Sequence, residues 1–101
     1  MLIARWQIDA RFGHKQKVIE KLKEWEQTVA PKVGISGGRM LTGSIGALEA
    51  TVFHEWEVPD LAEIDRAWGK LPTIPEHIQW SKDLEPFVVS GTSRWEVFRV
   101  I

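Results

Sequence analysis

His54 and Glu55 stand side by side in the run Thr51-Val52-Phe53-His54-Glu55-Trp56-Glu57 and are the first candidates for acid–base catalysis. Unperturbed imidazole titrates near pH ~6.5, so it exchanges protons close to neutrality. A carboxylate that shares a cavity with a second one, here Glu57 or Asp9, has its pKa raised and can serve as a base. In an extended strand, adjacent side chains point to opposite faces. His54 therefore falls between Val52 and Trp56 on an apolar face, where a structural role competes with a catalytic one. Glu55 falls on the opposite face with Arg5 and Arg94. Those arginines either pair with the carboxylates or hold the carboxylate or enolate oxygen of a ligand. Gln7, Phe53, Glu96 and Phe98 share that face and complete the candidate ligand-binding set.

Other chemistries are excluded or weakly supported. The 101 residues contain no Cys, no Tyr and no Asn. Thiol catalysis, disulfides and thiolate metal sites are ruled out, as is a phenolic acid or base. His14, His54 and His77 occur singly, without the i,i+4 spacing of a helical metal site, so no metal is expected. Gly37-Gly38 and Gly43–Gly46 lack the Lys-Ser/Thr of a phosphate loop. No cofactor is expected. The formal net charge of -1 gives no basic footprint for nucleic acid. Only Phe53 is aromatic on the central part of the charged face, whereas an RNA-binding sheet needs several aromatics there. No apolar run reaches the ~18 residues of a membrane span. The start of the chain does not read as a secretory signal, so the expected location is the cytoplasm, with no membrane partner.

The elements that must position these residues are legible as changes of period. Leu2, Ala4, Trp6 and Ile8 alternate with Ile3, Arg5, Gln7 and Asp9, which predicts a strand. From His14 to Val29 the period becomes helical, with Val18, Leu22, Trp25 and Val29 as its apolar stripe. Lys15, Lys17, Lys21 and Lys23, balanced by Glu20, Glu24 and Glu26, read as its solvated face. Ala30-Pro31 is expected to end this helix. Strands are predicted over Ile35–Thr42 and Leu48–Val58, joined as a hairpin. Asp60 is placed to cap a second helix, with Glu63 completing a capping box and Leu61, Ile64, Trp68 and Leu71 as its buried stripe. Gly69 and Pro72 are expected to stop it. A shorter helix follows over Pro75–Leu84, then a last strand over Val88–Val100 with a bulge at Gly91.

The order βαββαβ in one domain predicts an α+β, ferredoxin-like sandwich: an antiparallel sheet with two principal helices on one face. The six tryptophans are unusual for this length, and most fall in the helix–sheet layer, where each can bury ~150–250 Å². Core filling is their first role, with Trp80 and Trp95 as candidates for a ligand platform. The opposite sheet face mixes Ile3, Phe53, Phe98 and Val100 with opposite charges. It suits packing against a second copy, since closed two-fold pairing is the commonest oligomeric arrangement.

This layout resembles the dimeric α/β-barrel superfamily, including NIPSNAP-like and antibiotic-biosynthesis-monooxygenase-like proteins. The resemblance rests on the element order over nearly the whole chain, on Phe12-Gly13-His14-Lys15 leading into the first helix, and on Phe53 to Leu61 leading into the second. Relatives often carry Pro-Gly-Lys at the first of these points. The resemblance implies a homodimer whose sheets enclose a cavity for a small organic molecule, apolar or aromatic and partly anionic. It also implies cofactor-independent oxygenases and haem-degrading enzymes among the relatives. Both often use an Asn, which is missing here, so proton transfer by His54 or Glu55 is the enzymatic reading. A non-catalytic binding or interaction module with a structural charge network is the alternative.

Overall fold

A computed structural model describes residues 1–101. Strand β1 (Leu2–Asp9) leads into helix α1 (Lys15–Thr28) and a short helix α2 (Ala30–Val33). Strands β2 (Arg39–Thr42) and β3 (Thr51–Val58) follow, then α3 (Leu61–Lys70), α4 (Pro75–Leu84) and β4 (Arg94–Arg99). The sheet is antiparallel with the order β2-β3-β1-β4, which is the ferredoxin-like arrangement expected from the sequence.

The register confirms the two faces. Ala4 lies opposite Trp56 and Val97, and Trp6 opposite His54 and Trp95. Ile8 lies opposite Val52. These residues share the helix-covered face. Its core joins Ile8 and Val52 to Val18, Leu22 and Trp25 of α1 and to Trp80 and Leu84 of α4. On the open face, Arg5 lies opposite Glu55 and Glu96, Gln7 opposite Phe53 and Arg94, and Ile3 opposite Glu57 and Phe98.

Several boundaries differ from expectation for local physical reasons. α1 does end before Pro31, but Pro31 then opens α2, because the first helical turn does not need its missing N–H. Gly34 closes that turn at φ 79°. β2 begins at Arg39 and not Ile35, because the Gly38 N–H is taken by Glu26 and not by a neighbouring strand. β3 begins at Thr51 and not Leu48. Gly43 packs so tightly against the turn that a Cβ there would lie 1.7 Å from the Leu48 carbonyl oxygen. β4 begins at Arg94: Val88 makes only an isolated bridge to Ala10, and Gly91 turns the chain at φ 82°.

In α3, the Asp60 carboxylate accepts from the Glu63 N–H at 3.0 Å, so the cap forms as its spacing predicts. The buried stripe is narrower than expected. Ile64 and Ala67 are buried, whereas Leu61 and Trp68 are exposed. Gly69 lies inside the helix, which ends one residue later in a 3-10 turn at Leu71–Thr73. No helix is long and apolar enough to cross a membrane.

Candidate functional site

The two faces of the sheet carry two different arrangements. On the open face, Glu55 is the centre. Its side chain is only 2% exposed, and each carboxylate oxygen accepts one arginine N–H. Arg5 Nε donates to Oε2 and Arg39 Nε to Oε1, both at 2.7 Å. The Arg5 guanidinium also lies 5.4 Å from the Phe53 ring centre and 5.0 Å from that of Phe98, in range for cation–π attraction. Burial pushes the Glu55 carboxyl up, but hydrogen bonds and charge from Arg39 and Arg5 outweigh it and hold the pKa below the ordinary value. Glu55 is thus an ionised, fully paired carboxylate, a poor proton acceptor near neutrality.

Arg94 does not join this centre. It lies 3.6 Å from Glu96 at the solvent-facing edge strand. Gln7 sits between Phe53 and Arg94 in register. Asp9 is engaged by the Thr51 hydroxyl at 2.5 Å, and Glu57 is exposed.

Beneath the helices lies a cavity of about 260 Å³. Five of the six tryptophans line it: Trp6, Trp25, Trp56, Trp80 and Trp95. His54 and His77 sit among them, and Leu22, Leu71 and Ser81 complete the wall. The sequence explains this convergence. Trp6, His54, Trp56 and Trp95 share one sheet face by strand parity, while α1 and α4 bring Trp25 and Trp80 down on it. The rings are in contact throughout: His54 and Trp56 centres are 4.0 Å apart, Trp25 and Trp56 5.4 Å, and Trp56 and Trp95 6.0 Å.

The polar atoms of this wall are mostly committed. Trp25 Nε1 donates to His77 Nδ1 at 3.0 Å, Trp56 Nε1 to Glu26 Oε2 at 2.9 Å, and Trp80 Nε1 to the Lys21 carbonyl at 2.6 Å. Accepting at Nδ1 keeps His77 neutral, and burial lowers its pKa. His54 is 1% exposed. Burial lowers its pKa, and the opposing pull of Glu26 does not restore it. Its Nε2 lies 2.9 Å from Glu26 Oε2 without the alignment of a hydrogen bond, so this is a close polar contact that leaves Nε2 unpaired. No group of three His, Cys, Asp or Glu side chains is arranged to hold a metal ion.

Three of these residues are not among the sequence-derived candidates. The sequence pattern places Glu26 on the solvated face of α1, yet it accepts from Trp56 and Gly38 and touches His54. Its position four residues after Leu22, beside the apolar stripe, carried the signal. Arg39 was not foreseen as a partner of Glu55, because its strand was expected to start earlier and its facing was open. His77 was considered only as a metal ligand. Of the sequence-derived residues, the structure brings together Arg5, Glu55, Phe53 and Phe98, and places His54 on the other side of the sheet.

With this geometry established, the comparisons with known proteins bear on the fold. No protein-family model matches the chain, and no curated protein matches it in sequence. Solved structures do match. A NIPSNAP family protein from Agrobacterium tumefaciens superposes with a TM-score of 0.78 at 20% identity, covering 99% of this chain and 92% of the other. This is a NIPSNAP-like fold. An uncharacterised NIPSNAP-like domain protein from Burkholderia xenovorans matches at 0.75 and 19% identity, covering 99% and 84%. A structure named as an antibiotic biosynthesis monooxygenase matches at 0.67 and 10% identity, covering 100% and 99%. The NIPSNAP-like fold and its relation to the monooxygenase-like proteins are those the sequence suggested; at these identities they describe architecture alone.

Proposed function

We propose that this NIPSNAP-like protein binds a small organic molecule in the tryptophan-lined cavity between sheet and helices. The observation that carries this reading is the enclosure of two neutral histidines by five indole rings. Ligand sites are typically concave, mostly apolar and furnished with a few placed polar groups, and drug-sized ones span ~300–1,000 Å³. The 260 Å³ here suits a smaller guest of one or two rings. His54, buried against Glu26, contributes a neutral imidazole to the wall that this guest would meet. Glu55 is assigned the structural role, because its two arginine partners leave it no free oxygen to act with.

The second part of the proposal concerns the open face. Phe98, Val100 and Leu41 are exposed there, around a charge network already satisfied within one chain. Such a face can be covered by a second copy with its central carboxylate, Glu55, already paired within the chain. The homodimer and the ligand site then use opposite faces of the same sheet.

Intrinsic tryptophan fluorescence tests the first part. One- and two-ring compounds are titrated into the wild type and into Ser81→Phe, whose ring fills the cavity from its exposed wall. Saturable quenching in the wild type, weakened at least tenfold by the substitution, is expected. Quenching that is equal in both proteins, or absent from the wild type, contradicts the assignment.

A further inference from the structure

We infer that the cavity selects an organic cation, a quaternary or tertiary ammonium with a compact apolar body. This rests on the reading of the cavity as the ligand site and adds the charge of the guest. Three observations carry it.

First, three of the five lining indoles have already spent the N–H that an anion or a carbonyl oxygen would need, and only Trp6 and Trp95 keep theirs without a protein partner. Trp25, Trp56 and Trp80 donate to His77, Glu26 and the Lys21 carbonyl. What these rings still offer is their π faces, and an indole face is the best aromatic surface for a cation.

Second, no cationic side chain lines the cavity. Lys21, whose carbonyl meets Trp80, has its ammonium drawn to Glu24 at 3.0 Å and Asp83 at 3.7 Å. Both lining histidines have lowered pKa values because burial disfavours their charged forms. An anionic guest would therefore be desolvated with nothing opposite it, which is costly.

Third, one negative charge stands just behind the wall. Glu26 touches two lining residues, Trp56 at 2.9 Å and His54 at 2.9 Å, and its side chain is largely withdrawn from solvent. A carboxylate at that depth compensates the desolvation of a guest cation. The arginines that would favour an anionic ligand, Arg5 and Arg39, are turned to the other face and already occupied by Glu55.

The test uses three probes of similar size: phenyltrimethylammonium, its uncharged isostere tert-butylbenzene, and benzoate. Dissociation constants are measured by calorimetry and by fluorescence on the intact protein. The inference expects the cation to bind at least tenfold more tightly than the isostere, with benzoate weakest. A preference below tenfold, or benzoate binding best, overturns the cation assignment and leaves the cavity as a site for another guest. Binding by none of the three overturns both. Glu26→Gln is expected to bring the preference below threefold with the isostere unchanged. Because Glu26 also holds Gly38 and Trp56, Trp95→Leu is the second variant, at a ring that is half exposed. It should weaken the cation at least threefold more than the isostere. Wild-type preference in a folded Glu26→Gln, or in Trp95→Leu, overturns the inference.

Discussion

Glu55 is a buried carboxylate held between Arg5 and Arg39. As a carboxylate beside a histidine in sequence, it reads as a base. In the fold it is enclosed by two guanidinium groups with both oxygens engaged, so its proton is lost more readily than in the unfolded chain. A carboxyl whose pKa is lowered on folding contributes stability that is complete above its unfolded value. That contribution falls as pH drops through the folded value. Glu55→Gln should therefore destabilise the protein by about 1–3 kcal/mol at pH 7, the cost of leaving charged hydrogen-bond partners unsatisfied. The loss is limited because Arg39 is mostly exposed and can turn to water. The difference between wild type and variant should shrink as pH is lowered below the ordinary glutamate range. Urea unfolding at a series of pH values checks this; a constant difference down to pH 3 would contradict it. Parity could assign Glu55 to the open face, but only the register could supply Arg39 as its second partner.

At the level of elements, periods and punctuation made most of the fold legible. The helical stripe of α1, the Asp60 cap and the Pro75–Leu84 helix all follow from local sequence. The strand starts do not, because they depend on where backbone N–H groups find partners outside the sheet. Gly38 is the clearest instance. In sequence it reads as a backbone glycine, yet its N–H donates to Glu26 at 2.8 Å and its Cα faces the Trp56 indole. A Cβ there would lie 2.2 Å from Trp56 Nε1 and 2.7 Å from Glu26 Oε2. Gly38→Ala must displace one of them. The expected cost is about 1–3 kcal/mol, typical of overpacking, with a changed indole environment at Trp56. Thermal unfolding and near-UV circular dichroism read both, and an unaltered melting temperature and aromatic spectrum would show that the contact is not as tight as described. Glu26 escapes the sequence for a related reason: helical period places it beside the apolar stripe, but only packing reveals that it accepts from the Trp56 indole and touches His54.

For the whole molecule, the account assigns one task to each face of the sheet. The helix-covered face encloses the cavity, and the open face is the one proposed to meet a second copy. Light scattering during size exclusion should give twice the 11.6 kDa chain mass, persisting at high salt because the exposed Leu41, Phe98 and Val100 supply the contact while the ion pairs lie within each chain. Phe98→Lys should yield monomers that keep the cavity. A monomeric wild type at tens of micromolar would remove the second copy from the account. Sequence placed the possible ligand groups on the open face because the charges are there. The fold instead collects the apolar walls, the two histidines and Glu26 beneath the helices, and this grouping across α1, β1, β3, α4 and β4 has no signature in any single segment. The most direct measurement is a nitrogen–proton NMR titration with phenyltrimethylammonium that follows the indole N–H and arginine Nε–H resonances together. The account predicts shifts centred on Trp25, Trp56 and Trp80 with Arg5 and Arg39 unmoved; shifts at Arg5 and Arg39 with silent indoles would place the guest on the open face and contradict it.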